Sequence, residues 1–524
     1  MKYSAIAILV ASAAMSFGAV KMPKIFSDNM VLQRDMPVKV WGTADANAKV
    51  EVEFGGKRKS TKADADGEWS LKLDKMPADK NPREMTVYEN GKVGKKIGDI
   101  LVGEVWILGG QSNMQWSAYN TTDFEKLSAR ANYPNLRYFN QQTKHLSRTP
   151  AKDSLQGKWF AVTSRKLAAS CSATGIYFGE QLMKDLDVPV GLVFAALGAS
   201  KMVAWIPEDK ISQQKYLESE WSKFNREMKA YDYKKIHEKW RKDAAAWDIE
   251  AKKAKAEKRK PVPERRPQEP VELSSRMPAQ TPVYLYNAVI SPIEGFTARG
   301  AIWYQGESDS FGETLDNFQL QFDFLVNTWR EKFGNKNMPF IWAQLTSIGK
   351  GSGWPMTRWK QFLSSKSLKN GAVVNLIDLG ERDDVHPRDK TSVGLRFEKL
   401  ALNKVYGMKN VHASAPEMSK VAYSGDSARI LFETFGRKLA GKGEPRGFEV
   451  LVDGKWVEAA PVLDGKTVVL KSPDGGAVRG VRYLWTAWAQ PNVWLFNQDG
   501  LPAFSFIDEK KKKIKKKKKK KKKK

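Results

Sequence analysis

From about residue 101 the chain alternates short apolar strands with amphipathic helices. This alternation constrains the fold more than any other feature. Val102-Gly-Glu-Val-Trp-Ile-Leu, Val188-Pro-Val-Gly-Leu-Val-Phe-Ala-Ala, Ala298-Arg-Gly-Ala-Ile-Trp-Tyr-Gln and Met338-Pro-Phe-Ile-Trp-Ala-Gln-Leu read as buried strands. Helical patterns such as Ala173 to Leu186 and Leu315 to Phe333 lie between them. Such alternation predicts an α/β unit, a parallel sheet with helices on both faces. Ligands of such sheets bind beyond the carboxyl ends of the strands. The first strand ends in Gly109-Gly110, and Ser112 lies just past that end.

The flanking regions have a different texture. Residues 20–100 alternate apolar and polar positions, as in Pro37-Val-Lys-Val-Trp-Gly, with turn residues between, which predicts a small β-sandwich. Residues 411–508 are strand-like again, with Asp453-Gly, Asp464-Gly and Asp474-Gly-Gly turns, and predict a second β domain. The α/β unit spans 101–410. It is interrupted at 213–270 by a segment rich in Lys, Glu, Ala and Trp that ends in a Pro-rich stretch, read as a charged helical hairpin and linker.

The two ends carry signals of location. Lys2, the apolar run Ile6 to Met15 and the small residues Ser16, Gly18 and Ala19 predict a signal peptide over 1–19, hence a secreted, periplasmic or cell-surface product. No interior stretch is apolar for 18 residues, so no transmembrane helix is expected. Net charge is +29, but Lys510 to Lys524 holds 14 lysines, and without them the balance is +15. Residues 509–524 are expected to be a disordered poly-Lys tail, able to attach to an anionic cell-surface polymer. Acidic residues are interleaved through the insert, and export removes the chain from nucleic acid, so no nucleic-acid partner is expected.

The chemistry-bearing residues fall in three segments. Gly109-Gly-Gln-Ser-Asn-Met offers Ser112, without the second glycine of the Gly-x-Ser-x-Gly elbow because Met114 stands there. Asp383-Asp-Val-His-Pro offers His386 with two carboxylates close by; the other histidines are His145, His237 and His412. A carboxylate bonded to Nδ1 leaves Nε2 free to take a serine proton. Asp383, three residues before His386, and Asp384, two residues before, are both candidates for that carboxylate. Trp303-Tyr-Gln-Gly-Glu-Ser-Asp places Gln305 at a strand end, where its amide can donate to an oxyanion. Asn113 and Glu307 are expected to contact substrate, and Glu307 serves equally well as a tie within its loop. The histidines are scattered, there is one cysteine, and no zinc spacing or phosphate loop occurs. Neither a metal nor a cofactor is expected.

Gly110-Gln-Ser-Asn-Met, Trp303-Tyr-Gln-Gly-Glu-Ser and Asp384-Val-His-Pro, with Tyr284-Leu-Tyr-Asn-Ala, Trp329-Arg, Pro339-Phe and Gly500-Leu-Pro-Ala, resemble the sialate O-acetylesterase family of SGNH (GDSL-type) hydrolases. The likeness runs from about Phe26 to Phe506. It implies a flavodoxin-like SGNH core between β domains and removal of acetyl groups from sugar hydroxyls. It implies Ser112 as nucleophile, His386 as base and, from the Asp-x-x-His spacing usual in such hydrolases, Asp383 rather than Asp384 as the supporting carboxylate. Gly198 and Gln305 join the Ser112 amide as oxyanion donors. Three positions depart from the family pattern: Ala199 where a second glycine is usual, Asp309 where Asn is usual (as in some acetylxylan esterases), and Trp359 where Glu is usual. The expected substrate is therefore an O-acetylated sialic acid or an acetylated plant polysaccharide such as xylan. A non-catalytic carbohydrate-binding surface protein is the rival reading.

Overall fold

The computed structural model describes residues 20–141, 147–154, 156–270 and 278–510. The expected signal peptide and the tail beyond Lys510 lie outside the described residues.

Alternation builds the N-terminal strands. β1 (Val31–Gln33) is followed by β2 (Val38–Thr43), β3 (Lys49–Phe54), β4 (Lys57–Lys62), β5 (Glu68–Leu73), β6 (Asp79–Glu89) and β7 (Lys92–Gly110). Val38 and Val40 of β2 are buried while their neighbours are not, the period of a strand with one face inward. β2 pairs with β5, and β3 lies between β4 and β6, all antiparallel.

β7 is 19 residues long and serves two sheets. Its first half pairs with β6. Its second half, Glu104 to Gly110, is the middle of the α/β unit. The boundary expected near residue 100 therefore falls inside a continuous strand, with no linker between the two units.

The second half of β7 is followed by α1 (Ser112–Gln115), β8 (Tyr133–Asn140), β9 (Lys158–Val162), α2 (Ala173–Leu186) and β10 (Val190–Ala196). After the insert come β11 (Gly300–Tyr304) and β12 (Phe340–Ala343), then β13 (Gly371–Val374). The strand order is β13-β12-β11-β7-β10-β8-β9, parallel throughout except the edge strand β9. With β8 set aside, which pairs on the outer side of β10, the strands β7, β10, β11, β12 and β13 numbered one to five lie in the order 2-1-3-4-5, with the direction of winding reversing at β7. That reversal opens a crevice at the carboxyl end of β7.

Successive side chains of β7 go to opposite faces. Val105 and Ile107 join one apolar cluster with Trp303, Trp329 and Phe322; Trp106 and Leu108 join another with Ile176, Phe178 and Phe397. Both faces are covered, as the expected parallel sheet requires. The C-terminal residues form two four-stranded antiparallel sheets and a two-stranded one, with Ile430, Val468, Val450 and Val481 in one core between the larger two. Between residues 213 and 270 lie two helices, Lys215–Ala230 and Tyr233–Ala256. The Pro-rich stretch runs back along the second: Trp240 and Trp247 donate indole protons to the carbonyls of Pro267 and Pro263, at 3.1 and 2.7 Å. Among the described residues no helix is long and apolar enough to cross a membrane.

Glu104 anchors β7 from below. Its carboxylate is fully buried and receives Nε of Arg34 at 2.6 Å, Nε of Arg299 at 2.8 Å and Nε2 of Gln33 at 3.0 Å. These partners come from the end of β1 and the approach to β11. Truncating a buried ion-pair partner strands the opposite charge. Glu104→Ala should therefore lower the unfolding free energy by roughly 3–5 kcal/mol in urea denaturation. A loss below about 1 kcal/mol would place the cluster with solvent-exposed pairs.

Candidate active site

Three strands stop at one level. Ala196 of β10 and Tyr304 of β11 are both in register with Gly110 of β7. The residues that follow, Gly198, Gln305 and Ser112, therefore emerge at the same end of the sheet. Gly110 has φ of 131°, and a Cβ there would lie 2.2 Å from the carbonyl oxygen of Tyr304. Only glycine fits that turn. Ser112 follows, half-buried, at the start of α1.

Gly198 sits beside the serine. A Cβ added to it would lie 3.5 Å from Cβ of Ser112. Its N–H donates to Oε1 of Gln115 at 2.7 Å, so a side chain of α1 already occupies the expected oxyanion donor. Ala199 takes φ of 59°, the left-handed conformation that explains a glycine at this position.

Gln305 departs from expectation. It is buried, and Nε2 donates to the carbonyl of Ser200 at 3.1 Å and to Oδ2 of Asp309 at 2.5 Å. Both amide protons are spent, so in this arrangement Gln305 offers none to an oxyanion. Asp309 is fully buried, and burial pushes its carboxyl up to about 6. Asn113, expected to contact substrate, is bonded within the protein. Nδ2 donates to Oε1 of Glu307 at 2.5 Å and to the carbonyl of Val385 at 3.0 Å, while Oδ1 accepts from Nζ of Lys390 at 2.5 Å. Every polar group of that side chain is used, and it acts as a strut. Glu307 has the tying role through Oε1; burial raises its pKa, and Oε2 has no protein partner.

The segment after β13 carries His386 and leads into α3 (Lys390–Lys404). Trp116, on the turn after α1, stacks on the imidazole with ring centroids 4.6 Å apart at 14°. Asp384 accepts the His386 backbone N–H at 2.8 Å, and its Oδ1 lies 3.5 Å from Nδ1. Asp383 is exposed. Spacing favours Asp383; the geometry puts Asp384 beside the ring. Spacing is a poor guide here, because the direction of each carboxylate is set by the turn. Partial burial and the nearby Lys390 lower the pKa of His386, and Asp384 opposes them.

Sequence reasoning misses Gln115, Trp116 and Lys390. For Lys390 a signal is present. It lies on the helical face of Val393, Phe397 and Ala401, all buried, and it is itself buried.

A half-buried serine and histidine at the reversal point of an α/β sheet suit acyl transfer. The profile of the carbohydrate esterase, sialic acid-specific acetylesterase family matches residues 102–237 and 276–402. Sialate O-acetylesterases of Rattus norvegicus and Homo sapiens are 28% and 26% identical, over 88% of this chain and 89% and 87% of theirs. A carbohydrate acetylesterase structure from Xanthomonas citri superposes with a TM-score of 0.76 at 28% identity, covering 94% of this chain and 99% of that one. The protein is a carboxylic ester hydrolase. It belongs to the carbohydrate esterase, sialic acid-specific acetylesterase family.

The geometry orders the two carboxylates. Asp384→Asn should lower turnover on an aryl acetate by on the order of 10²-fold. Because Asp384 raises the His386 pKa, its loss should also move the acid limb of the pH–rate profile lower. Asp383→Asn should leave both near wild type. The reverse ordering in steady-state kinetics would return the role to Asp383.

Proposed function

We propose that this chain is an exported serine esterase that removes O-acetyl groups from carbohydrates through an acyl-enzyme. The observation that carries the reading is the double clamp between the two motifs. Asn113 bonds the carbonyl before His386, and Trp116 stacks on its ring, so the serine turn and the histidine segment are held against one another. The order 2-1-3-4-5 supports a flavodoxin-like core of SGNH type, and the paired sheets on either side support flanking β domains.

In the proposed reaction the Ser112 hydroxyl attacks the acetyl carbonyl while Nε2 of His386 takes its proton. Asp384 supports the imidazolium from the Nδ1 side. The backbone amides of Ser112 and Gly198 hold the oxyanion, which requires Gln115 to release the Gly198 N–H. His386 returns the proton to the departing sugar hydroxyl. Water, deprotonated by His386, then attacks the acyl carbonyl; the bond from Oγ of Ser112 to the acyl carbon breaks, His386 returns the proton to Oγ, and acetate leaves. At neutral pH the lowered pKa keeps His386 in the neutral form that such a base needs.

The named relatives support an O-acetylated sialic acid as substrate. Asp309 favours a second reading with the same chemistry on acetylated xylan, since this position carries the likeness to acetylxylan esterases. The lysine tail is proposed to hold the protein at anionic surface polymers.

Ser112→Ala should abolish acetate release, a loss on the order of 10⁴ to 10⁶ in rate. A serine-directed phosphonate should add to Ser112 in wild type, located by peptide mass spectrometry. An adduct elsewhere, or full activity in the alanine variant, would sink the mechanism. Acetate release from acetylated sialic acid, acetylated xylan and an aryl acetate separates the two substrate readings. Activity on none of the three would support the non-catalytic alternative.

A further inference from the structure

Lys390 is a buried ammonium bonded into the site. It is fully buried, donates to Oδ1 of Asn113 at 2.5 Å and lies 5.4 Å from the ring centroid of Tyr304. An asparagine amide can take two orientations that differ by a flip. An ammonium has donors only, so a charged Lys390 compels Oδ1 to face it. Nδ2 is then aimed at its two acceptors, Glu307 and the carbonyl of Val385. The latter bond ties the residue before His386 to the residue after Ser112.

We propose that Lys390 is a positioning residue for ester hydrolysis, locking the Asn113 amide so that the serine turn and the histidine segment stay in register. This rests on the reading of Ser112 and His386 given above.

The charged groups around Lys390 are Glu307 from the β11 side and Glu381, Asp384 and Asp389 from the segment before its helix; His386 feels its charge in turn. Burial lowers Lys390 to about 7 against the attraction of those four carboxylates. A neutral amine accepts as well as donates, so the lock on the amide loosens as pH rises through that value. Below it, the charge helps to keep the His386 pKa low. Removing Lys390 should therefore move the acid limb upward and erase the loss of rate on the alkaline side.

The test follows phosphonate addition to Ser112 and aryl acetate turnover against pH. Wild type, Lys390→Met, Lys390→Arg, Asn113→Leu and the Met/Leu double variant are compared, with melting as a folding control. Methionine is similar in length and apolar, so the buried site should accept it. Lys390→Met should slow both reactions on the order of 10- to 100-fold, with KM nearly unchanged. Its acid limb should rise, and Asn113→Leu should add little to it. Lys390→Arg should keep the acid limb where wild type has it. A wild-type rate and pH profile in Lys390→Met, or fully multiplicative losses in the double variant, would overturn the proposal. If Lys390→Met does not fold, the wild-type profile decides, and a rate that does not fall on the alkaline side overturns it. Wild-type addition at a residue other than Ser112 removes the underlying reading, and this inference with it. Addition at Ser112 with no effect of Lys390 removes this inference alone.

Discussion

The pairing of one 19-residue strand into two sheets is the constraint on which the molecule depends. β7 cannot shift along its axis without breaking register with β6 at one end and with β10 and β11 at the other. A slip of one residue would exchange its two apolar faces, placing Trp106 where Ile107 packs. Glu104 lies beyond the midpoint, where the α/β half begins, and its two arginines fasten the strand to the segments on either side. The position of Ser112 is thus set by the N-terminal strands as well as by the α/β unit.

Beyond the strand ends, polar contacts take over from backbone pairing. Asn113, Glu307, Val385 and Lys390 come from three separate segments and converge on one carboxamide. Gln305 and Asp309 form a second fixed group against the Ser200 carbonyl. The Asn113 carboxamide is fully satisfied, so a flip would leave its polar groups without partners. Motif residues that sequence alone would assign to substrate or oxyanion are thereby engaged in holding the segments together.

Period and turn chemistry make the alternating unit, its buried strands and the charged insert legible in the sequence. Ser112 and His386 are legible as candidates because glycines at a strand end and carboxylates beside a histidine are local patterns. Direction is not legible. The choice between Asp383 and Asp384 depends on backbone torsions within one turn. The engagement of Gln305 depends on Asp309 and Ser200, the latter 105 positions away in sequence. The occupation of the Gly198 N–H depends on Gln115, 83 positions away. The continuation of the strand through residue 100 escapes sequence reasoning because a change in pattern is also what a domain boundary looks like.

The insert leaves and rejoins the core at adjacent points. Val283 donates its N–H to the carbonyl of Val203 at 3.2 Å, and Lys201 donates to Ala279. The first insert helix contributes Leu217 to the core, and Phe224 meets Tyr284. The second buries only Ala244 and Ala254 fully, and its tryptophans hold the returning Pro-rich stretch. The fold is therefore already closed beneath the excursion. Since closure entropy grows only logarithmically with loop length, the distal part of the insert is a region whose size evolution can alter without disturbing the sheet.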